Sequence, residues 1–347
     1  MTQGRNLVRT GSGQAGDPPA AAQQAGPGSG SPDSGSPAAG RPLVAWHGEL
    51  TGRVDQLGWL RALSDWLTGT LVPLREQYQD NLLVELLHGG RWAGHPVHPA
   101  LSDLPIGLWA GVTVLDVAGR DPEPGRGLDA ASVLSAAGLL AAGATALTGV
   151  ADWTVGLEED RRIGLFHGLL NTAALGLQAA SLGTRVTGHR AAARALGAAS
   201  LAVTAAAGYL GGHLVFTRGV MVSRVAWDTR PRRWTRALAE ADLPDEAPVA
   251  AQADGRQILL YRQDGRLHAI DNLCSHAGGL LSRGPVDGLA VTCPLHGSRF
   301  GLADGCVLRG PASQPQPVLP TRIRNGWIEV RGSQPAARRT ATGRTPS

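Results

Sequence analysis

The sequence predicts a membrane α-helical fold, a four-helix transmembrane bundle, followed by an all-β domain. Three observations predict it. The stretches 130–150, 163–184 and 195–216 contain no Asp, Glu, Arg or Lys, and each has the roughly 20 residues a helix needs to cross a bilayer. After Arg236 the chain breaks into short β-rich runs separated by Asp-Gly or Asn-Gly pairs, which favour tight hairpins. The mean hydropathy of −0.06 is then an average over two opposite halves.

Residues 1–42 are Gly, Pro, Ser, Ala and Gln with almost no large apolar side chain, so they are expected to be disordered. No apolar run follows Arg5 and Arg9, so this stretch does not read as a signal peptide. Residues 43–92 form an amphipathic helical segment, with Leu57, Leu60, Leu63, Trp66 and Leu67 on one face. Such a segment lies on a membrane or against a partner domain. The transmembrane domain spans 93–222. Its first helix, 99–119, has an uncharged centre bounded by Asp103 and Asp116. A soluble bundle would need a polar stripe on each helix, which the three charge-free stretches lack. Their alanines and glycines suit close packing of membrane helices.

Arginines near the helix ends set the orientation. Nine lie on the side holding both termini and the middle loop: Arg91, Arg161, Arg162, Arg218, Arg224, Arg230, Arg232, Arg233 and Arg236. Five lie opposite: Arg120, Arg126, Arg185, Arg190 and Arg194. Both termini are therefore expected in the cytoplasm. The β domain spans 235–331, with strands expected at 248–252, 257–262, 266–271, 289–293 and 326–331 and turns at 254–255, 264–265, 287–288 and 325–326. Residues 332–347 form a polar, disordered tail.

Composition excludes several classes. Three cysteines cannot make a disulfide scaffold. A net charge of +4 without a basic face does not support nucleic-acid binding. The basic residues are all arginine, which reflects a coding bias rather than phosphate chemistry.

The chemistry sits in CSHAGG at 274–279 and CPLHGSRF at 293–300. The pattern is Cys274-x-His276, sixteen residues, then Cys293-x-x-His296. Two thiolates and two imidazoles can hold zinc or an iron–sulfur cluster. A structural zinc pair usually has two or more residues between its ligands, whereas the first pair here has one. The double motif, over roughly residues 235–331, resembles the Rieske family. That resemblance implies a mixed-ligand 2Fe–2S cluster, with Cys274 and Cys293 on one iron and His276 and His296 on the other. It also makes GPASQPQPVLP at 310–320 the loop that shields the cluster. Gly278, Gly279 and Gly297 let the backbone approach.

Rieske proteins of cytochrome bc complexes carry an additional cysteine in each motif. Here Leu295 and the neighbourhood of Gly278 stand in those places, so no bridging disulfide forms. Ser298 is kept as a donor toward a cluster sulfur, and Phe300 replaces a tyrosine donor, which lowers the potential. The chain thus resembles the Rieske ferredoxins. Cys306, outside both motifs, is expected to be a buried apolar residue. Only 51 residues and no histidine follow His296, which excludes the mononuclear iron domain of a Rieske oxygenase.

Residues 86–222, with HPVHPAL and the GGHLVFTRG run, resemble an uncharacterised bacterial four-helix membrane domain whose name implies no activity. Ionisable groups inside a bilayer are costly and often functional. His98, Asp103, Asp152, His167, Asn171 and His213 gather toward the cytoplasmic side. Three readings stand: interfacial groups bonded to one another and to helix ends; a redox or quinone site among His98, His167 and His213, with a haem b held by two of them; or a non-haem metal site. Asp116 belongs to packing or topology at the far side.

The expected function is a membrane-anchored one-electron carrier, with no residue needed as acid, base or nucleophile. Its partners are membrane lipid, a reductase or quinol donor, and an oxygenase or haem acceptor. The alternative is a quinone- or haem-linked membrane oxidoreductase.

Overall fold

A computed structural model of the chain describes residues 51–119, 129–227 and 231–332. The readings made for 1–42, for Arg120, Arg126 and Arg230, and for the tail beyond 332 lie outside the described residues. After a helical stretch at 51–55 come helices α1 (Gly58–Gln77), α2 (Leu82–His88) and α3 (Gly90–Ala93). Four long ones follow: α4 (Val97–Val117), α5 (Ala130–Thr154), α6 (Glu158–Val186) and α7 (Arg190–Phe216). Neighbours in the bundle are α4–α5, α5–α6, α6–α7 and α4–α7, so α4 and α6 face each other on a diagonal.

By length and composition α4, α5 and α7 can each cross a membrane. The fourth helix, α6, is less apolar because His167, Asn171 and Gln178 interrupt it. The bundle is built with its polar side inward. Ser132, Ser135, Thr145, Thr148 and Ser200 are buried, while Leu140, Leu147, Val114, Val117 and Phe216 face outward. Small hydroxyls close the seams: Ser181 donates to the Ala193 carbonyl at 2.7 Å and Ser200 to that of Ala174 at 2.8 Å. Gln178 donates to the Ser135 hydroxyl at 2.9 Å. Where lipid is equally apolar, such contacts and close backbone approach hold helices together.

The helices overrun the charge-free stretches because their end charges are paired. Arg185, inside α6, makes a two-pronged bond to Asp116 of α4 at 2.6 and 2.7 Å. Arg190 pairs with Asp129 at 2.8 Å, and Arg218 with Asp160 at 2.9 Å. The hairpins α4–α5 and α6–α7 repeat each other in detail. Asp116 and Arg185 each follow a histidine by eighteen residues, His98 on α4 and His167 on α6.

The amphipathic segment packs on the bundle, α1 against α5 and α6, and α2 against α5. Leu60 is fully buried and Leu57, Leu63 and Leu67 are half-buried, but Trp66 is 65 % exposed. Trp66 therefore leaves the predicted face: it shares an outer stripe with Trp59, one heptad earlier.

The β domain has ten strands in three sheets, ordered β1-β10-β9, β2-β3-β4 and β5-β6-β7-β8. Expected strands appear as β2 (Val249–Ala253), β3 (Arg256–Gln263), β4 (Arg266–Asp271), β6 (Ala290–Thr292) and β10 (Trp327–Val330). Not expected were β1 (Thr235–Ala239), β5 (Val286–Asp287), β7 (Arg299–Gly301), β8 (Val307–Arg309) and β9 (Thr321–Arg324). These are short, and several are rich in arginine, so they carry little periodic signal. At 254–255, 264–265 and 325–326 both turn residues have positive φ, as a tight hairpin with matching twist requires. Strand β3 divides two cores. Ile258 and Leu260 pack with Ile328 and Val330, while Leu259 and Tyr261 face a second core that contains Cys274, Cys293 and Phe300.

Candidate metal centre

The second core ends in two loops of the same construction. In the first, the Cys274 N–H donates to the Gly279 carbonyl at 2.8 Å and the Gly278 N–H to the Cys274 carbonyl at 2.9 Å. In the other, the Cys293 N–H donates to the Ser298 carbonyl at 2.8 Å and the Gly297 N–H to that of Cys293 at 3.0 Å. Gly278 (φ 76°) and Gly297 (φ 79°) close the loops in the left-handed region, where a Cβ is strained. At Gly279 a Cβ would stand 2.9 Å from Cys293 Sγ. The Pro-rich loop is pinned to both turns: Ser275 Oγ donates to the Gln314 carbonyl at 2.7 Å, and the Ala312 N–H to Ser298 Oγ at 3.0 Å.

The structure brings Cys274 against Cys293 and His276 against His296, one of each pair on each loop. The Cys274 thiol hydrogen bonds to Cys293, which draws Cys293 down to about 6 against the opposing effect of burial; amides of Leu295 and His296 add to it. Giving that hydrogen bond, together with burial, pushes the Cys274 thiol up. Burial, followed by the charges of His296, His88, Arg75 and Arg224, brings His276 down to about 3. Burial, then Arg75 and Arg161, brings His296 to about 4. Both imidazoles are neutral at physiological pH, the form that binds metal.

These residues fit a two-iron cluster. The His276 and His296 ring centres are 5.1 Å apart. Two imidazoles on one tetrahedral metal, at about 2.1 Å from metal to nitrogen and about 1.1 Å more to the ring centre, would stand about 5.2 Å apart. His296 Nδ1 is buried without a hydrogen-bond partner, as a metal-directed nitrogen should be. Among the described residues no three His, Cys, Asp or Glu side chains group around a single ion. That suits a cluster taking two protein ligands at each iron better than one zinc tetrad.

Sequence reasoning missed the cap over the histidine side. Arg75 of α1 donates to the His296 carbonyl at 3.3 Å, Arg309 pairs with Asp80 at 2.6 Å, and Gln314 donates to the Gly94 carbonyl at 2.6 Å. A Cβ on Gly90 would stand 2.6 Å from the Ala312 carbonyl. His276 is left 8 % exposed. His88, at the end of α2, is buried and bonds Asp152 of α5 at 3.1 Å. No local pattern announced these contacts, which join residues 64 to 229 positions apart.

Other expected site residues separate. His98 and His167 meet with ring centres 6.4 Å apart, and Asn171 donates to His167 Nε2 at 3.1 Å. Asp103 is exposed on α4, and Asp152 is engaged with His88. His213 is buried on α7 two residues beyond Gly211, the glycine that faces the His167 ring, and so about 200° around the helix from it. Cys306, expected to be buried, is exposed. It follows the turn at Asp304-Gly305, where its N–H donates to the Asp304 carboxylate at 3.0 Å and its backbone must stay at the surface.

Ser298 gives a test of this arrangement. Its oxygen already accepts the Ala312 N–H, so its own proton is available to the sulfur side of the site. Ser298→Ala is expected to lower the reduction potential by on the order of 40 mV, the one-electron equivalent of a bond worth about 1 kcal/mol. Protein-film voltammetry checks it.

The comparisons agree with the geometry. Residues 233–321 match the family described as "Rieske [2Fe-2S] domain", and residues 94–224 match "Predicted membrane protein (DUF2231)". The chain is 32% identical over 93 residues to "Naphthalene 1,2-dioxygenase system, ferredoxin component" of Pseudomonas putida, covering 27% of this chain and 89% of the relative. It is 30% identical over 105 residues to "Sulredoxin" of Sulfurisphaera tokodaii, covering 28% of this chain and 96% of the relative. Among solved structures it is similar to "Ferredoxin of carbazole 1,9a-dioxygenase from Nocardioides aromaticivorans IC177", at 28% identity and a TM-score of 0.28, covering 29% of this chain and 98% of that one. A two-iron site at the tip of a β domain, ferredoxin relatives matched over almost their whole length and a membrane domain ahead of them lead to one conclusion: the chain belongs to the Rieske 2Fe–2S family, as a membrane member that carries the Rieske-type cluster.

Proposed function

We propose that this protein is a membrane-anchored one-electron carrier working at the cytoplasmic face, with Cys274, His276, Cys293 and His296 as the cluster ligands. The observation that carries the reading is the pair of matched loops, each of which supplies one sulfur and one neutral imidazole, with Cys274 facing Cys293 and His276 facing His296. The cluster supplies reversible one-electron chemistry. The protein's own residues hold the ligands, exclude water through the Pro-rich loop and press the histidine side against the cap. The bundle crosses the membrane several times, and the exposed Trp59, Trp66 and Trp92 seat α1 and α3 at the lipid surface, where indole rings favour the headgroup level. A reductase or quinol is the donor class, and an oxygenase of the kind served by the ferredoxin relatives is one acceptor class.

A second reading is favoured by one specific observation. The cap lies on the histidine side, with Arg75 bonded to the His296 carbonyl and His276 left 8 % exposed, which sets that edge of the site against the helical domain. On this reading the protein is an oxidoreductase whose second redox site lies at the transmembrane histidines.

Cys306 tests the orientation, since Cys274 and Cys293 are buried and Cys306 is exposed. A membrane-impermeant maleimide is expected to label it in inside-out vesicles and not in right-side-out ones. Mass spectrometry of the 306 peptide reads the result. Labelling from the outside reverses the assigned topology.

A further inference from the structure

The two hairpins treat one histidine each in the same way. On α4, His98 Nδ1 lies 3.0 Å from the Thr145 carbonyl of α5, and a Cβ on Gly149, four residues later, would be 2.8 Å from the His98 ring. On α6, His167 Nδ1 lies 2.7 Å from the Ala207 carbonyl of α7, and a Cβ on Gly211, again four residues later, would be 3.1 Å from the His167 ring. A carbonyl oxygen only accepts, so each Nδ1 carries the proton and each Nε2 keeps its lone pair. The Asn171 amide, which donates to His167 Nε2, fixes the same tautomer, and it must turn away before that nitrogen can take a metal. An imidazole whose far N–H is anchored on a carbonyl is how proteins prepare a metal ligand.

We propose that His98 and His167 are the two axial ligands of a haem iron held in the bundle. Two observations suit haem better than a bare ion. Ring centres on opposite sides of one metal, each about 3.2 Å from it, stand about 6.4 Å apart, whereas a tetrahedral pair stands about 5.2 Å apart. The observed separation is 6.4 Å. Moreover, no third His, Cys, Asp or Glu joins the pair among the described residues. A bare ion usually takes three or four protein ligands, while haem iron already has four from its own ring. The missing Cβ atoms at Gly149 and Gly211 seat the rings at matching depth, each five residues, or about 8 Å, from the end of its helix.

The position suits one-electron exchange with the cluster, a role that rests on the second reading above. Asp152, bonded to His88 of the cap, is three residues beyond Gly149 on α5, about 4.5 Å along the axis. One electron leaves the reduced cluster and ferric iron becomes ferrous; no bond is made or broken.

The test uses the full chain purified in detergent with its cluster, titrated with hemin and read by haem stoichiometry, visible absorption and electron paramagnetic resonance. The expected result is one low-spin haem per chain. His98→Ala and His167→Ala should each lower it to about a tenth or less while the cluster signal persists, which shows that the chain is folded. His167→Met should keep haem with a shifted, Met/His-type spectrum. A chain with an intact cluster signal that takes up no stoichiometric haem overturns this inference and leaves the carrier reading standing. Low-spin haem that survives both alanine variants overturns it too. Haem bound by a chain without any cluster signal sinks the carrier reading instead.

Discussion

Replacing Cys293 with alanine is expected to remove the iron from the β domain, from about two atoms per chain to background, and with it the Rieske resonance signal. The Cys293 thiol is drawn below its ordinary range, because Cys274 and the Leu295 and His296 amides all donate to it. Without it, one thiol and two imidazoles remain, and one iron loses half of its protein ligands. Cys306→Ala serves as the control. That thiol is exposed and outside both ligand loops, so its loss should leave iron content and signal unchanged. Two irons per chain and an unaltered spectrum in Cys293→Ala would show that the ligand assignment is wrong.

The second large effect is expected at the other end of the bundle. The Arg185 side chain is 2% exposed and that of Asp116 10%, and they meet through two bonds. Asp116→Ala removes the carboxylate from a buried guanidinium that also has Arg194 within 4.0 Å of the same site. Leaving such a charge without its partner costs on the order of 3–5 kcal/mol. Thermal unfolding in detergent should show a large loss for Asp116→Ala and a smaller one for the Asp116→Asn/Arg185→Gln double variant, where the buried guanidinium leaves with its carboxylate. If the two variants are equally stable, the pair is not structural.

Much of this was legible in the sequence because the chemistry is local there. CSHAGG and CPLHGSRF announce themselves through residue types that the ligands demand within six or eight positions. The charge-free runs announce α5 to α7 through length alone, and α4 shows itself by the uncharged centre between Asp103 and Asp116. What stayed hidden depends on distant partners. Arg185 reads as a loop residue until Asp116 neutralises it, and then the helix continues through it. Asp152 reads as a member of the membrane cluster until His88 claims it from the cap. The Trp66 face is a matter of which side of α1 finds the bundle, and a helical repeat shows only that a face exists. Cys306 illustrates the opposite error: a general tendency of free cysteines toward burial is outweighed by the turn at Asp304-Gly305.

Asp116 and Arg185 occupy equivalent places in two hairpins, and each is reached eighteen residues after an equivalent histidine. At roughly 1.5 Å per residue, the two levels are about 27 Å apart, nearly the thickness of the hydrocarbon layer. A residue on the symmetry axis of a two-fold assembly meets its own copy. Two histidines can do so, but two aspartates or two arginines would repel each other in a medium with little screening. A homodimer of one such hairpin could therefore keep the upper pair and could not keep the lower. The opposite charges at 116 and 185 therefore fix which hairpin meets which: each finds its complement only in the other, and neither can pair with a copy of itself at that level.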